Sequence, residues 1–194
     1  MFKRVMAVII CCMIGTSVVL ADSAEKGQME SKNILVLKLK TGDVSIKLRP
    51  DLAPKHVARI KQLVADGAYN NVVFHRVIDG FMAQTGDVKY GQKGSPSYNS
   101  ALVGTGSSKY PNLVAELSKE PFLRGVVGMA RSAAQDSANS QFFICFKDAN
   151  FLNGQYTVIG QVVNGMDAVD KIKKGNDASG AVKDPDIIIK ASIE

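Results

Sequence analysis

The sequence predicts a mainly β fold, a barrel or a sandwich. Three observations carry this reading. About eight short runs are rich in Val, Ile, Leu and Phe. Turn residues separate them at short spacing. Two stretches repeat their apolar residues at helical spacing. The chain has 194 residues, 46% hydrophobic and 22% charged, which suits one domain. That balance excludes a wholly disordered, collagen-like or long coiled-coil chain.

Residues 1–21 stand apart from the fold. Lys3 and Arg4 precede an uncharged run from Val5 to Leu20, closed by Val19-Leu20-Ala21. This is the layout of a secretory signal peptide cleaved after Ala21. The competing reading is a membrane anchor. The run is interrupted by Gly15-Thr16-Ser17 and is short for a span of about 20 apolar residues. Cys11 and Cys12 sit inside it, without the small residue that precedes a lipidated cysteine. Cleavage would take two positive charges off the net charge of +6 and leave Cys145 as the one cysteine. An intramolecular disulfide is then impossible, although export implies a compartment that permits one. Stability must come from a packed core.

Residues 22–33 are polar and read as an arm, so the domain itself is expected over 34–194. Ile34–Lys40 and Val44–Leu48 flank Thr41-Gly42-Asp43 and predict a β-hairpin. Pro54 suits the first turn of a helix, where its missing N–H would be unpaired anyway. Val57, Ile60 and Val64 continue it, and Gly67 closes it, so a helix is expected over about 54–66. Val72–Ile78 predicts a strand, Asp79-Gly80 a turn, and Phe81–Gln84 more extended chain. Residues 86–112, rich in Gly, Ser, Tyr, Pro and Lys, form a loop long enough to be functional or well braced. Further strands are expected over Gly125–Ala130, Gln141–Phe146, Tyr156–Val162 and Ile187–Ala191. Met166–Lys173 reads as a second helix ended by Gly175.

Several kinds of chemistry find no support. The two histidines, His56 and His75, have no metal-ligand spacing, and a single mature cysteine makes a structural zinc site untenable. Gly104–Lys109 lacks the pattern of a phosphate-binding loop and any strand–helix unit around it. No G-x-S-x-G elbow is present. The basic excess has no aromatic–basic stripe to favour nucleic acid.

Two segments do carry a signal. Strand alternation over 73–78 sets Phe74, Arg76 and Ile78 on one face, with Val73, His75 and Val77 on the other. A guanidinium among large apolar groups lines a cleft or lays its stem over a rim. Phe81, Met82 and Gln84 follow directly. Gln141 and Phe143 share a second strand face, opposite Phe142 and Ile144. Each segment alone suits ordinary core plus a surface arginine. Two in one small domain suggest an amphipathic pocket.

These residues resemble a known family. Phe74–Asp87 is similar to the signature of the cyclophilin-type peptidyl-prolyl isomerases. Gly128–Arg131 with Ser140–Cys145 resembles its second block. Phe151–Gly154, Val158–Gly160 and Val163–Met166 resemble its third. The resemblance runs from about Ile34 to Ile189 and looks most like bacterial exported members. It implies a closed eight-stranded antiparallel β-barrel capped by two α-helices, with the site on the outer wall. It also implies isomerase activity on X–Pro bonds, in which no bond breaks and no cofactor or metal is needed. Arg76 is the implied catalytic residue. Phe81, Met82, Phe143 and Leu152 are the implied pocket for the proline ring. Gln84 would orient Arg76 or a substrate carbonyl, and Ala130, Arg131 and Gln141 would pair with an extended peptide. Tyr156 stands at the rim where many members have His, and Arg131 replaces a common Asn. Phe151 replaces a common Trp and has no indole N–H, which implies weak cyclosporin binding. The implied partners are proline-containing segments of unfolded or partly folded proteins in a bacterial periplasm. A monomer is the default, with no membrane association after signal cleavage. The C-terminal residues Lys190–Glu194 carry no endoplasmic-reticulum retention signal. The rival reading is a chaperone or adaptor module that holds proline segments without turnover.

Overall fold

The computed structural model describes residues 33–194. The expected signal peptide at 1–21, and all of the arm but Asn33, lie outside the described residues. Ten strands form: β1 (Ile34–Leu39), β2 (Gly42–Leu48), β3 (Val72–Val73), β4 (Arg76–Ile78), β5 (Met82–Thr85), β6 (Val126–Met129), β7 (Phe142–Cys145), β8 (Val158–Asn164), β9 (Ile187–Ile188) and β10 (Lys190–Ile193). Helix α1 spans Pro54–Ala65 and helix α2 Met166–Asp170, with a 3-10 turn at Asn150–Leu152. Among the described residues, no helix is long and apolar enough to cross a membrane.

Eight strands make one antiparallel sheet in the order β10-β1-β2-β8-β6-β7-β5-β4, and β3 pairs with β9 apart from it. The inner face of the large sheet carries the main core. β1 supplies Leu35, Leu37 and Leu39, and β2 supplies Val44, Ile46 and Leu48, each buried, while Lys38 and Lys47 point to solvent. This is period-two alternation, and it sets the hairpin register Leu37↔Val44.

α1 covers this core with Val57, Ile60 and Leu63. Its N-cap, Ala53, has no side-chain oxygen to offer. The Glu116 carboxylate, from a distant loop, accepts the N–H groups of Lys55 and His56 at 3.1 and 3.0 Å instead. A negative charge there also suits the positive end of the helix. The helix ends as expected at Gly67, whose positive φ of 67° lets the Ala68 N–H reach Leu63 O at 2.9 Å.

The expected closed barrel is not what forms. The sheet is an open half-barrel whose edge strands, β10 and β4, lie 19 Å apart. The reason lies in what already occupies the outer edge of β4. Gly175 N–H donates to Val77 O, Val77 N–H to Gly180 O, and Val182 N–H to His75 O, at 2.9, 2.8 and 3.1 Å. Irregular chain from 175 to 182 therefore satisfies the groups that β10 would have to meet. The same contacts explain a shorter second helix. After Asp170 the chain turns away, with Lys173 N–H on the Asp186 carboxylate at 2.8 Å. Two expected strands are also divided: Val72–Ile78 breaks at Phe74-His75, and Ile187–Ala191 breaks at Ile189.

Candidate active site

β5, β6 and β7 have a second buried face, turned away from the main core. In β7, Phe142 and Ile144 enter the main core, while Phe143 and Cys145 join an outer cluster with Met82, Phe122, Val126, Ala149, Leu152 and Val158. Gly128 of β6 lies opposite Phe143 in the ladder. A Cβ there would fall 2.6 Å from the Phe143 ring and 2.7 Å from Phe122. The missing side chain lets the two rings stack at 5.7 Å. Tyr156 meets Phe143 edge-on at 5.8 Å. Phe143 is thus clamped before any ligand arrives.

These rings back a cleft of about 390 Å³, within the common range of about 300–1,000 Å³ for small-molecule sites. Arg76, Phe81, Met82, Gln84, Ala130, Arg131, Phe143, Leu152 and Tyr156 all line it. Nine of the ten residues expected from sequence therefore converge. The tenth, Gln141, stands behind Gln84 and lines an adjoining polar cleft of about 220 Å³. Two further residues line the apolar cleft. Gln155 had no sequence signal. Phe151, singled out for its lost N–H but not as lining, is 65% exposed and leans on Phe81 at 5.3 Å.

Arg76 and Gln84 are cross-strand partners, so the ladder itself sets them side by side. Arg76 Nε donates to Ser179 O at 3.0 Å, and Nη1 lies 3.5 Å from Gln84 Oε1 and 3.9 Å from Met82 Sδ. Among the described residues, Nη2 has no hydrogen-bond partner. The guanidinium is held from one end and offers donors at the other.

A hydrogen-bonded chain stands behind it. Gln84 Nε2 donates to Gln141 Oε1 at 3.0 Å. Gln141 Nε2 donates to Gly104 O and Gly106 O at 3.0 and 2.9 Å. The N–H groups of these same glycines donate to Asp87 Oδ2 at 2.7 and 2.9 Å. Asp87 Oδ1 accepts from Lys89 and Tyr90 at 3.0 and 2.9 Å. One fully buried carboxylate thus fixes the loop that fixes Gln141 and Gln84. Gly106 packs so closely on Asp87 that a Cβ would collide with it. Asp87 closes the first sequence motif and opens the loop over 86–112, but no local pattern marks it as the residue that braces that loop.

The thiol and the imidazole of the region are both buried. Burial pushes the Cys145 thiol up to about 12, so it stays protonated near neutral pH. Burial, helped by the Arg76 charge, also outweighs Asp87 and lowers the pKa of His75 below the ordinary imidazole value. Among the described residues no three His, Cys, Asp or Glu side chains are grouped to hold a metal. What the site offers is an apolar, aromatic-walled cleft with a preset cation at its mouth.

Comparison with known proteins agrees with this geometry. Residues 34–193 match the family described as cyclophilin type peptidyl-prolyl cis-trans isomerase/CLD. A probable peptidyl-prolyl cis-trans isomerase of Brucella suis is 68% identical over 166 residues, covering 85% of this chain and 84% of the relative. Peptidyl-prolyl cis-trans isomerase B of Escherichia coli is 40% identical over 144 residues, covering 68% of this chain and 79% of the relative. The crystal structure of a Cryptosporidium parvum cyclophilin-type isomerase, obtained in the presence of the dipeptide Ala-Pro, superposes with a TM-score of 0.70. It is 26% identical and covers 83% of this chain and 98% of that one.

Replacing Asp87 with Asn is expected to lower stability by about 2 kcal/mol, since two N–H groups that now meet a buried carboxylate oxygen would face an amide nitrogen. Urea denaturation measures this, and amide exchange at Gly104 and Gly106 should quicken. An unchanged urea midpoint would mean that the loop is held by something else.

Proposed function

The chain belongs to the cyclophilin-type peptidyl-prolyl cis-trans isomerase family and is an isomerase of X–Pro bonds; from that premise we propose that Arg76 is its catalytic residue and that it assists the folding of exported proteins. The observation that carries the first part is the Arg76 guanidinium, anchored through Nε, with Nη2 unengaged at the mouth of an apolar cleft.

Rotation about a peptide bond faces a barrier of about 18–20 kcal/mol, because the C–N bond has partial double-bond character. Uncatalysed X–Pro exchange takes tens of seconds or more, slow enough to limit folding. The enzyme must seat the proline and favour the twisted amide over the planar one. Phe81, Met82, Phe143 and Leu152 seat the ring. In the twisted state the prolyl nitrogen becomes pyramidal and regains a lone pair. A guanidinium N–H aimed there stabilises this state more than the planar one, and that difference raises the rate. Arginine suits the role because its donors are planar and its charge is permanent. Gln84 orients it, and Gln141 acts behind Gln84, its own amide already engaged by the Gly104–Gly106 loop.

The leader-like run at 1–21 supports a periplasmic location, with proline segments of unfolded or partly folded exported chains as substrates. The Phe151 ring at the rim has no N–H to give a bound macrocycle, which supports weak cyclosporin binding.

Arg76→Ala is expected to lower kcat/KM about 10²- to 10³-fold, as for loss of one preorganised donor. Magnetisation-exchange NMR on a short X–Pro peptide measures it. Near-normal exchange with a folded variant would sink the assignment, and a folded wild type that binds the peptide without accelerating it would favour the holding-module reading. Protein recovered from the periplasmic fraction should begin at Asp22 by amino-terminal sequencing; an intact amino terminus at Met1 would argue against cleavage. Cyclosporin inhibition should be far weaker than nanomolar in the same exchange assay, and tight inhibition would reject that expectation.

A further inference from the structure

The charged residues that line the apolar cleft, Arg76 and Arg131, are both cations. Arg131 also lines the adjoining polar cleft, where no other charged residue does. Among the described residues, the ion pairs are Arg49 with Asp51 and Glu120, Lys109 with Asp66, and Arg124 with Asp170, and the Glu116 carboxylate meets the His56 ring. None involves Arg76 or Arg131. Among the described residues, no carboxylate lines either cleft, and none lies within 4 Å of the Arg76 or Arg131 guanidinium.

Arg131 is also held in place. Its Nε and Nη2 donate to Gln155 O at 3.3 and 3.1 Å. Its Nη1 donates to Ser132 O and Ala133 O at 3.0 and 3.3 Å. The guanidinium carbon lies 4.5 Å from the centre of the Tyr156 ring. All of these partners are neutral. They fix the position of the charge and leave it uncancelled. Arg131 lines both clefts, with Gln84 and Ala130, so a chain spanning the two runs beside this cation. In a partly desolvated groove such a charge acts more strongly than in bulk water.

We infer that Arg131 determines substrate preference: the enzyme favours prolines with Asp or Glu within two residues and disfavours those with Lys or Arg there. This rests on the isomerase reading of the cleft. Arg131 acts on how the peptide is seated, so its effect falls mainly on KM. A partly exposed charge pair changes kcat/KM by about fivefold at most. Attraction of Glu and repulsion of Lys together should separate the two by roughly tenfold.

The experiment uses the mature protein and short X–Pro peptides with Glu, Gln or Lys at each of the two positions on either side of the proline. Wild type should favour Glu over Lys roughly tenfold at one or more positions. Arg131→Gln should bring that ratio near one, and Arg131→Lys should keep most of it. Raising ionic strength from about 0.01 M to about 1 M shortens the screening length from about 30 Å to about 3 Å, and should flatten the wild-type preference. This salt test needs no variant, so it stands even if Arg131→Gln folds poorly. Equal rates for Glu and Lys at every position, with the Gln peptides accelerated, would overturn the inference and leave the isomerase reading intact. A preference that survives in a folded Arg131→Gln would pass to Arg76 and overturn the role of Arg131. If no peptide is accelerated, the isomerase reading fails. The Glu-to-Lys ratio of affinities by titration calorimetry then decides the charge preference by the same criterion.

Discussion

A β-strand sends successive side chains to opposite faces, and in β5 and β7 both faces are in use. Phe142, Ile144 and Ala83 fill the main core, while Phe143, Cys145 and Met82 back the cleft. The site therefore has no separate scaffold. Its floor is the reverse side of the core, and a shift of one residue in register would exchange the two. Whatever holds Phe142 against Tyr69, edge-on at 5.6 Å, also holds Phe143 beneath the substrate. For a reaction that breaks no bond this matters, because nothing but geometry distinguishes a helpful surface from an inert one.

The polar half of the site obeys a different rule. Its side chains are amides and a guanidinium, which could rotate freely if left alone. Each is held by the next, from Arg76 through Gln84 and Gln141 to two glycine carbonyls, and the loop carrying those carbonyls is gathered on one buried carboxylate. A buried charge that accepts four backbone N–H groups is strongly localised. It gives a long, irregular segment the definition of a regular element. Glu116 does the same for the first turn of α1. In both cases a carboxylate that accepts peptide N–H groups ties a loop to the rest of the fold, and Glu116 also meets the His56 ring at 2.6 Å.

Much of this was legible in the sequence. The alternating faces of the first hairpin follow from residues 34–48, although its turn is Lys40-Thr41 and not the expected Thr41-Gly42-Asp43, since Gly42 and Asp43 pair with Leu39 and Lys38; the end of α1 follows from Gly67, and the two-faced character of β7 from the order Gln141-Phe142-Phe143-Ile144. The motif resemblance brought together side chains as distant in the chain as Arg76 and Tyr156. What stayed hidden depends on partners far away. Val72-Val73 looks the same whether it belongs to the large sheet or pairs separately with β9, because periodicity names a buried strand and not its neighbour. A count of strands does not say whether the first and last edges meet. The chain from 175 to 182, polar and glycine-containing, gives no local sign that it will occupy the edge of β4. Nor does Asp87 announce a hub, since its four donors come from residues up to 19 positions later.

The strand order carries a consequence for how the molecule comes into being. The outer neighbour of β1 is β10, so Leu35 lies opposite Ile193, at the far end of the chain. A polypeptide emerging from its amino terminus can close the β1–β2 hairpin at once. The other edge of that strand stays open until β10 appears. Contacts of such sequence separation form late and slowly. Until they do, a row of unpaired N–H and C=O groups is presented to any passing chain. An isomerase of X–Pro bonds thus passes through its own maturation with a strand edge open. The step that covers β1 is the docking of the four-residue β10, which then becomes the edge of the sheet.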